Sequence, residues 1–457
     1  MKMRYRKPVA LLLLLCPLLL AKPALAQETK PLGLEESIAI ALKQSALIQA
    51  AQEGVKGAEA QKKEAFTGFL PKFSTYYQYM RVSPEPWSYM GSVTLTSNTV
   101  PPITLSTPAR PLTVGTQSNY SWAMEVRQPL FAGGAIKANY EANVKGEAVA
   151  RTEAAAAAQD IVQEVKISYF NILKTKKILA VARQALEQLK AHRNDAQGFY
   201  DVGLIPKNDL LQSEVRLAEG MQNLLRAENG LEIAKSRFNT VLRRNLDTPT
   251  ALEDILAYRP FDKALDACIA AALENRPEIK SYRLKGEQMQ EYVKAARGEL
   301  FPSLSAVGHY ERFGDSASLM GSTYKSMENW YVLARADWTF WEWGKTKHSV
   351  DARRFREQQI GRLLTHEQDR ATFEVKAAYL MVRESEKQVF VAQKAIEQAE
   401  ENFRLNTERY KEQVGTSTDV LDAQTLLTKT KSDYVNALGD YYISQARLER
   451  AMGMGEP

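Results

Sequence analysis

The sequence predicts an α+β membrane protein in which one unit is written twice, each copy giving two β-strands and long coiled-coil helices. Three observations carry that prediction: an internal duplication, two long heptad runs without proline, and strand-length segments whose residues alternate in character.

Residues 1–26 read as an export signal, with Lys2, Arg4, Arg6 and Lys7 at a basic start, an apolar run from Leu11 to Leu20, and Ala24-Leu25-Ala26 as a cleavage site. The apolar run is half the ~20 residues that a membrane span requires. Cys16 lies inside it, so Cys268 is the only cysteine of the processed chain and no intrachain disulfide is possible. With Lys22, the signal carries five of the 60 basic residues and none of the 54 acidic ones, which leaves 55 against 54, a net charge of +1. A near-neutral chain without basic clusters interleaved with aromatics is not a nucleic-acid binder.

The duplication fixes the remaining order. Ala41-Leu42 and Phe69-Leu70-Pro71 recur 231 residues later as Ala272-Leu273 and Leu300-Phe301-Pro302. Leu130-Phe131 and Gly134 recur 210 residues later as Phe340-Trp341 and Gly344, and that offset holds through Tyr200 and Tyr410. The difference of 21 residues is an insertion between positions 72 and 130, where Pro84, Pro86, Pro101, Pro102, Pro108 and Pro111 describe an extended, exposed loop. The first repeat spans 27–243 and the second 244–457.

Strands are predicted at about 72–82, 120–129, 303–312 and 330–341. In the last of these Trp330, Val332, Ala334, Ala336, Trp338 and Phe340 share one face, and Tyr331, Leu333, Arg335, Asp337 and Thr339 the other. A half-buried soluble sheet would fit any one strand. The export signal and the Trp and Tyr residues at strand ends favour a membrane barrel, whose strands need only ~9–11 residues.

Helices are predicted at about 134–200, 209–243, 345–410 and 418–450. Val375, Val382, Val389, Ile396, Phe403 and Tyr410 form a seven-residue repeat, matched in the first unit by Val165, Ile172, Leu179, Leu186 and Tyr200 with Arg193 as its one break. From Gly134 to Tyr200 there is no proline, and at ~1.5 Å per residue the helix is a projecting rod of about 100 Å. Four strands cannot close a membrane barrel, since the smallest have about eight, so the chain must assemble with copies of itself.

The two turns between long helices share one pattern: Tyr200 to Asp209 to Leu211, and Tyr410 to Asp419 to Leu421. Ser417 or Thr418 can cap the following helix, with Asp419 as a favourable acid in its first turn, and Asp209 after Asn208 reads the same way. Asp422 lies on the same helical face as Asp419, about 4.5 Å along the axis. In a symmetric assembly the pair would become stacked carboxylate rings that select cations and offer a site to a divalent ion. Tyr410 is either the last core residue of its seam or a hydroxyl donor to Asp209 on the adjoining coil, holding the tip shut. Catalysis finds no support. His192, His309, His348 and His366 are scattered, read as surface or lumen residues, and belong to no metal or nucleophile motif; no cofactor is implied.

The duplicated unit, the Phe-Leu-Pro and Leu-Phe-Pro segments before the strands, Gln128-Pro-Leu-Phe-Ala-Gly-Gly134 and the paired turns together resemble the TolC-like outer-membrane efflux proteins. The resemblance implies a homotrimer, with a twelve-stranded barrel in outer-membrane lipid continuous with a twelve-helix periplasmic α-barrel. It implies a passive exit duct for a tripartite efflux pump or type I secretion system, working with a periplasmic adaptor and an inner-membrane transporter. By the same resemblance Val202-Gly203-Leu204 and Val414-Gly415-Thr416 are tips that meet the adaptor. Asp419 and Asp422 narrow the aperture, and Tyr410, Asp209 and Tyr200 constrain it. The family's turn arginine has no counterpart at Gly415, Thr416 or Ser417, which leaves Lys207 as a substitute. The other reading is a coiled-coil envelope protein, an adhesin or spacer, without channel activity.

Overall fold

The computed structural model describes residues 31–455, so the export signal lies outside the described residues. Helices α1 (Leu34–Gln44) and α2 (Ala46–Phe66) are divided at Ser45, which caps α2. A short 3-10 turn (Thr67–Phe69) leads into β1 (Lys72–Arg81). Four short strands follow: β2 (Trp87–Met90), β3 (Val93–Thr96), β4 (Thr104–Thr107) and β5 (Arg110–Thr113). β6 (Ser118–Ala132) runs into the 67-residue α3 (Ala135–Asp201), and a turn leads to α4 (Lys207–Val241).

The second repeat follows the same course through α5 (Leu265–Asn275), α6 (Pro277–Gly298), β7 (Ser303–Gly314), β8 (Glu328–Asp337), the 67-residue α7 (Lys345–Lys411) and α8 (Ser417–Ala451). Its α5–α6 break falls at Arg276, 231 residues after Ser45, with Pro277 opening α6 where a missing N–H is harmless.

The main sheet has the antiparallel order β1-β6-β7-β8, and the outer edges of β1 and β8 have no partner strand among the described residues. Pro129 cannot donate to a ladder, and the β6–β7 register shifts there by one residue. Two features differ from the sequence expectation. The segment 83–117, which carries the 21-residue insertion, is not a plain extended loop: β2 pairs with β5 and β3 with β4, a nested ribbon whose Val93-Thr-Leu-Thr96 alternates as a strand should. The last strand ends at Asp337 rather than 341, because Asp337 already pairs with Ser303, the first residue of β7. Trp338, Phe340, Trp341 and Trp343 follow it, all exposed.

Both strand-to-helix corners use left-handed backbone: Gly133 and Gly134 before α3, Trp343 and Gly344 before α7. Tertiary packing comes from the helices. Val375, Val382 and Val389 of α7 and Val165, Ile172, Leu179 and Leu186 of α3 are buried at their heptad positions. Near the middle of the rods Tyr169, Leu173, Phe238 and Tyr441 join one core, each large side chain contributing about 1.5–3 kcal/mol by burial. The connection between repeats is tied to it. Tyr169 Oη donates to the carbonyls of Leu32 (3.2 Å) and Glu253 (2.9 Å), and Tyr441 Oη to that of Arg259 (2.6 Å). Among the described residues no helix is long and apolar enough to cross a membrane, and the one cysteine, Cys268, is buried and free.

Candidate functional site: the paired helical tips

The two long coils end in the same backbone motif. After α3, Gly203 N–H donates to the Tyr200 carbonyl and Leu204 N–H to that of Phe199, both at 2.9 Å. After α7, Gln413 N–H donates to the Tyr410 carbonyl (3.1 Å) and Val414 N–H to that of Arg409 (2.9 Å). This is a Schellman ending, which needs a left-handed residue at its pivot. Gly203 supplies it with φ 78°; Gln413 does so with φ 61°. The counterpart of Val202-Gly203-Leu204 is therefore Glu412-Gln413-Val414. Val414-Gly415-Thr416, paired with the first tip by sequence, sits two residues further along the turn. Gly415 is needed for a different reason: a Cβ there would stand 3.1 Å from that of Arg409.

The following helices start differently. Thr416, not Ser417 or Thr418, caps α8: its hydroxyl accepts from Asp419 N–H (3.2 Å), and the Asp419 carboxylate accepts from Thr416 N–H (3.0 Å). That backbone donor, with the hydroxyl, holds Asp419 below the usual carboxylate range. Asp209 has the same place in α4, but its N-cap is Pro206, which has no N–H to donate. The half-buried Asp209 carboxylate is thus left out of any capping box. Asp419 and Asp422 are both exposed on α8.

Tyr410 is the packed centre of the tips. It is 3% exposed, with its ring 4.9 Å from His192 and 5.4 Å from Phe199, both on α3. His192 is buried too and lies 2.9 Å, by Nε2, from Ser417 Oγ on α8. The expectation of an accessible His192 is corrected: it packs into the α3–α8 contact. Burial holds its imidazole below the ordinary histidine value, and burial pushes the Tyr410 phenol up.

Among the described residues the buried Tyr410 hydroxyl has no hydrogen-bond partner, so the expected bond to Asp209 is not formed within the chain. The ring, wedged against α3, fixes where the hydroxyl points. Tyr200 is 36% exposed and has no such packing. Ser417, one candidate position for the missing arginine, is committed to His192, and Lys207 stands exposed at the start of α4. Sequence reasoning missed His192 although a signal exists. Ile178, Ala185, His192 and Phe199 recur every seven residues, a second stripe on α3 beside its main seam.

A family model described as outer membrane efflux protein matches residues 38–242 and 268–454. No curated protein sequence matches the chain. Among solved structures, the Campylobacter jejuni CmeC outer membrane channel is similar over 92% of this chain and 86% of its own, with TM-score 0.75 and 17% identity. The Vibrio cholerae outer membrane protein VceC is similar over 92% and 96%, with TM-score 0.75 and 16% identity. The open state of the Neisseria gonorrhoeae MtrE outer membrane channel is similar over 92% and 89%, with TM-score 0.72 and 18% identity.

Proposed function

The chain belongs to the outer membrane efflux protein family, and from that premise we propose that it is the exit duct of a tripartite efflux pump or type I secretion system. Three copies join their sheets into one twelve-stranded barrel in the outer membrane, and their long helices continue it as a periplasmic tunnel. The single observation that carries this reading is the open four-stranded sheet standing on two 67-residue helices, with both sheet edges unpaired among the described residues. Lipid does not tolerate such edges, and adding copies of the same sheet removes them. The exposed Trp330, Trp338 and Trp341 near the strand ends support an interfacial girdle.

In this reading the tips form the periplasmic aperture. Asp419 and Asp422 become carboxylate rings around it. Tyr410, Tyr200 and Asp209 constrain its width, Tyr410 through ring packing against His192 and Phe199. Val202, Gly203, Leu204, Val414, Gly415 and Thr416 face the periplasmic adaptor, which couples the duct to an inner-membrane transporter. Transport is passive, so no catalytic residue is assigned. Planar-bilayer recording on the detergent-purified protein, with its mass measured in the native state, tests the proposal. Discrete conducting events from a trimer are expected; an electrically silent protein, as a coiled-coil spacer would be, overturns it.

A further inference from the structure

The charges of the main sheet gather on one of its faces. Register sets Glu125 of β6, His309 of β7 and Tyr331 of β8 side by side, and one residue along each strand it sets Met124, Tyr310 and Trp330 together on the opposite face. Arg127, Glu311, Arg335 and Asp337 follow the first set at even spacing, and Lys72 of β1 stands opposite Arg127. Over Tyr120 to Gln128, Leu304 to Tyr310 and Trp330 to Ala336 the second face carries no charge. A membrane barrel turns its apolar face to lipid and its polar face inward, so the charged face lines the lumen.

Most of these charges cancel locally. Arg127 pairs with Glu125 and Arg335 with Asp337, each at 2.9 Å. Glu311 differs: its side chain is 14% exposed, and among the described residues no Lys or Arg lies within ion-pair distance of it. Its one basic neighbour is His309, whose Nε2 stands 3.6 Å from Glu311 Oε2. On the other side of the ring Nδ1 stands 3.9 Å from Glu125 Oε2 and is buried without a hydrogen-bond partner. The His309 side chain is 8% exposed, so it sits in the wall rather than free in the lumen. Tyr331 lies flat against it, 4.8 Å between centroids and 17° between planes, and holds the ring between the two carboxylates. Tyr76 of β1, opposite Ala123 and beside Glu311, is the other titratable group facing this cluster.

A neutral imidazole has one N–H and can serve only one of two carboxylates; an imidazolium has two and serves both. Neither gap beside His309 is a hydrogen bond as it stands, and a charged ring would draw both toward the ~2.7–2.9 Å of a charge-assisted bond. Histidine is the side chain that exchanges its charge between about pH 5 and 8.

We propose that Glu311 is a selectivity-determining carboxylate of the barrel lumen, and that His309, protonated between Glu311 and Glu125, cancels its charge. The inference rests on the reading of the sheet as part of a membrane barrel, and it adds a cation filter separate from the aperture rings. With His309 neutral, each copy presents one uncompensated carboxylate to the lumen, which attracts cations and repels anions. With His309 charged, Glu125, Arg127, Glu311 and His309 sum to zero and that attraction is lost. Cation preference therefore falls as pH falls.

Reversal potentials in planar bilayers under a KCl gradient, at about pH 8 and about pH 5.5, test this. The Asp419→Ala/Asp422→Ala background keeps the aperture rings out of the readout, and a reversal potential reports selectivity rather than how far the tips are open. In that background the channel is expected to lose cation preference from the upper to the lower pH. Adding Glu311→Gln should give, at the upper pH, the weak preference that the parent shows at the lower. Adding His309→Gln should hold the parent's upper-pH preference at both. A parent preference that does not change with pH, a Glu311→Gln channel as cation-selective as its parent at the upper pH, or a His309→Gln channel that still loses preference overturns the inference alone. Where His309→Gln does not assemble, Glu311→Gln decides. A protein that forms no channel in any background overturns the exit-duct reading and this inference with it.

Discussion

The left-handed pivot at each tip makes a matched pair of opposite predictions. Gln413 and Gly203 occupy the same place in the same Schellman ending, with φ 61° and 78°. For an L-residue the left-handed region costs about 1–2 kcal/mol, which glycine escapes. Glycine returns about 0.5–1 kcal/mol of this through its greater freedom in the unfolded chain. Gln413→Gly should therefore stabilise the second tip by about 0.5–1 kcal/mol, slowing local opening roughly two- to fivefold at 0.59 kcal/mol per RT. Gly203→Ala should do the reverse at the first tip by a similar amount. The cost there is backbone strain alone, since an added Cβ meets nothing within 4 Å. Native-state hydrogen exchange of the Leu204 and Val414 amides, whose N–H groups close the two motifs, reads both changes. Faster exchange at Val414 in Gln413→Gly, or unchanged exchange at Leu204 in Gly203→Ala, would refute the strain argument.

Three further outcomes are expected. Because burial depresses the folded His192 value, the unfolded chain takes up the proton first as pH falls, so the fold loses stability from about pH 6.5 downward until the folded value is passed. Exchange at the tip amides, corrected for intrinsic rate, should accelerate between pH 7.5 and 5.5 and not in His192→Gln; a flat wild-type profile contradicts this. Asp419 is already engaged by the Thr416 backbone, so Asp422→Ala should remove more of the channel's cation preference than Asp419→Ala, measured as reversal potential in a salt gradient; equal effects would mean that the capping bond does not restrain Asp419. Tyr410→Phe deletes a buried hydroxyl without a partner among the described residues and should change stability by less than about 1 kcal/mol. Tyr410→Ala removes the ring and should cost about 3 kcal/mol and raise resting conductance; a leak in Tyr410→Phe as large as in Tyr410→Ala would show that the hydroxyl, not the ring, closes the tip.

Much of the architecture was legible because it is periodic. Val165 to Leu186 and Val375 to Val389 repeat every seven residues and are buried, since seven residues is nearly two turns and returns a side chain to the same face. What escaped was aperiodic. The ribbon inside the segment 83–117 rests on four-residue strands, too short for alternation to stand out among its prolines. The tips escaped for another reason: glycine marks a left-handed pivot only where glycine is used, and at Gln413 it is not. The eye therefore pairs Gly203 with Gly415, two residues too late. Asp209 and Asp419 look equivalent in sequence, and only the N-cap three residues earlier, Pro206 or Thr416, decides which carboxylate is held by its helix.

The two tips thus share one backbone motif and differ in the side chains set on it. Within the chain, the α3 stripe of Ile178, Ala185, His192 and Phe199 meets α8 and Tyr410, and its tip end is aromatic and buried. The stripe at the same positions of α7 is Gln388, Ala395, Asn402 and Arg409, polar toward its tip end. Polar groups near an open tip keep much of their hydration and gain little by contact, whereas the Tyr410 ring loses its apolar surface to water if the intrachain contact parts. Any parting of the tips is therefore expected to spare the contact of α3, α7 and α8 around Tyr410.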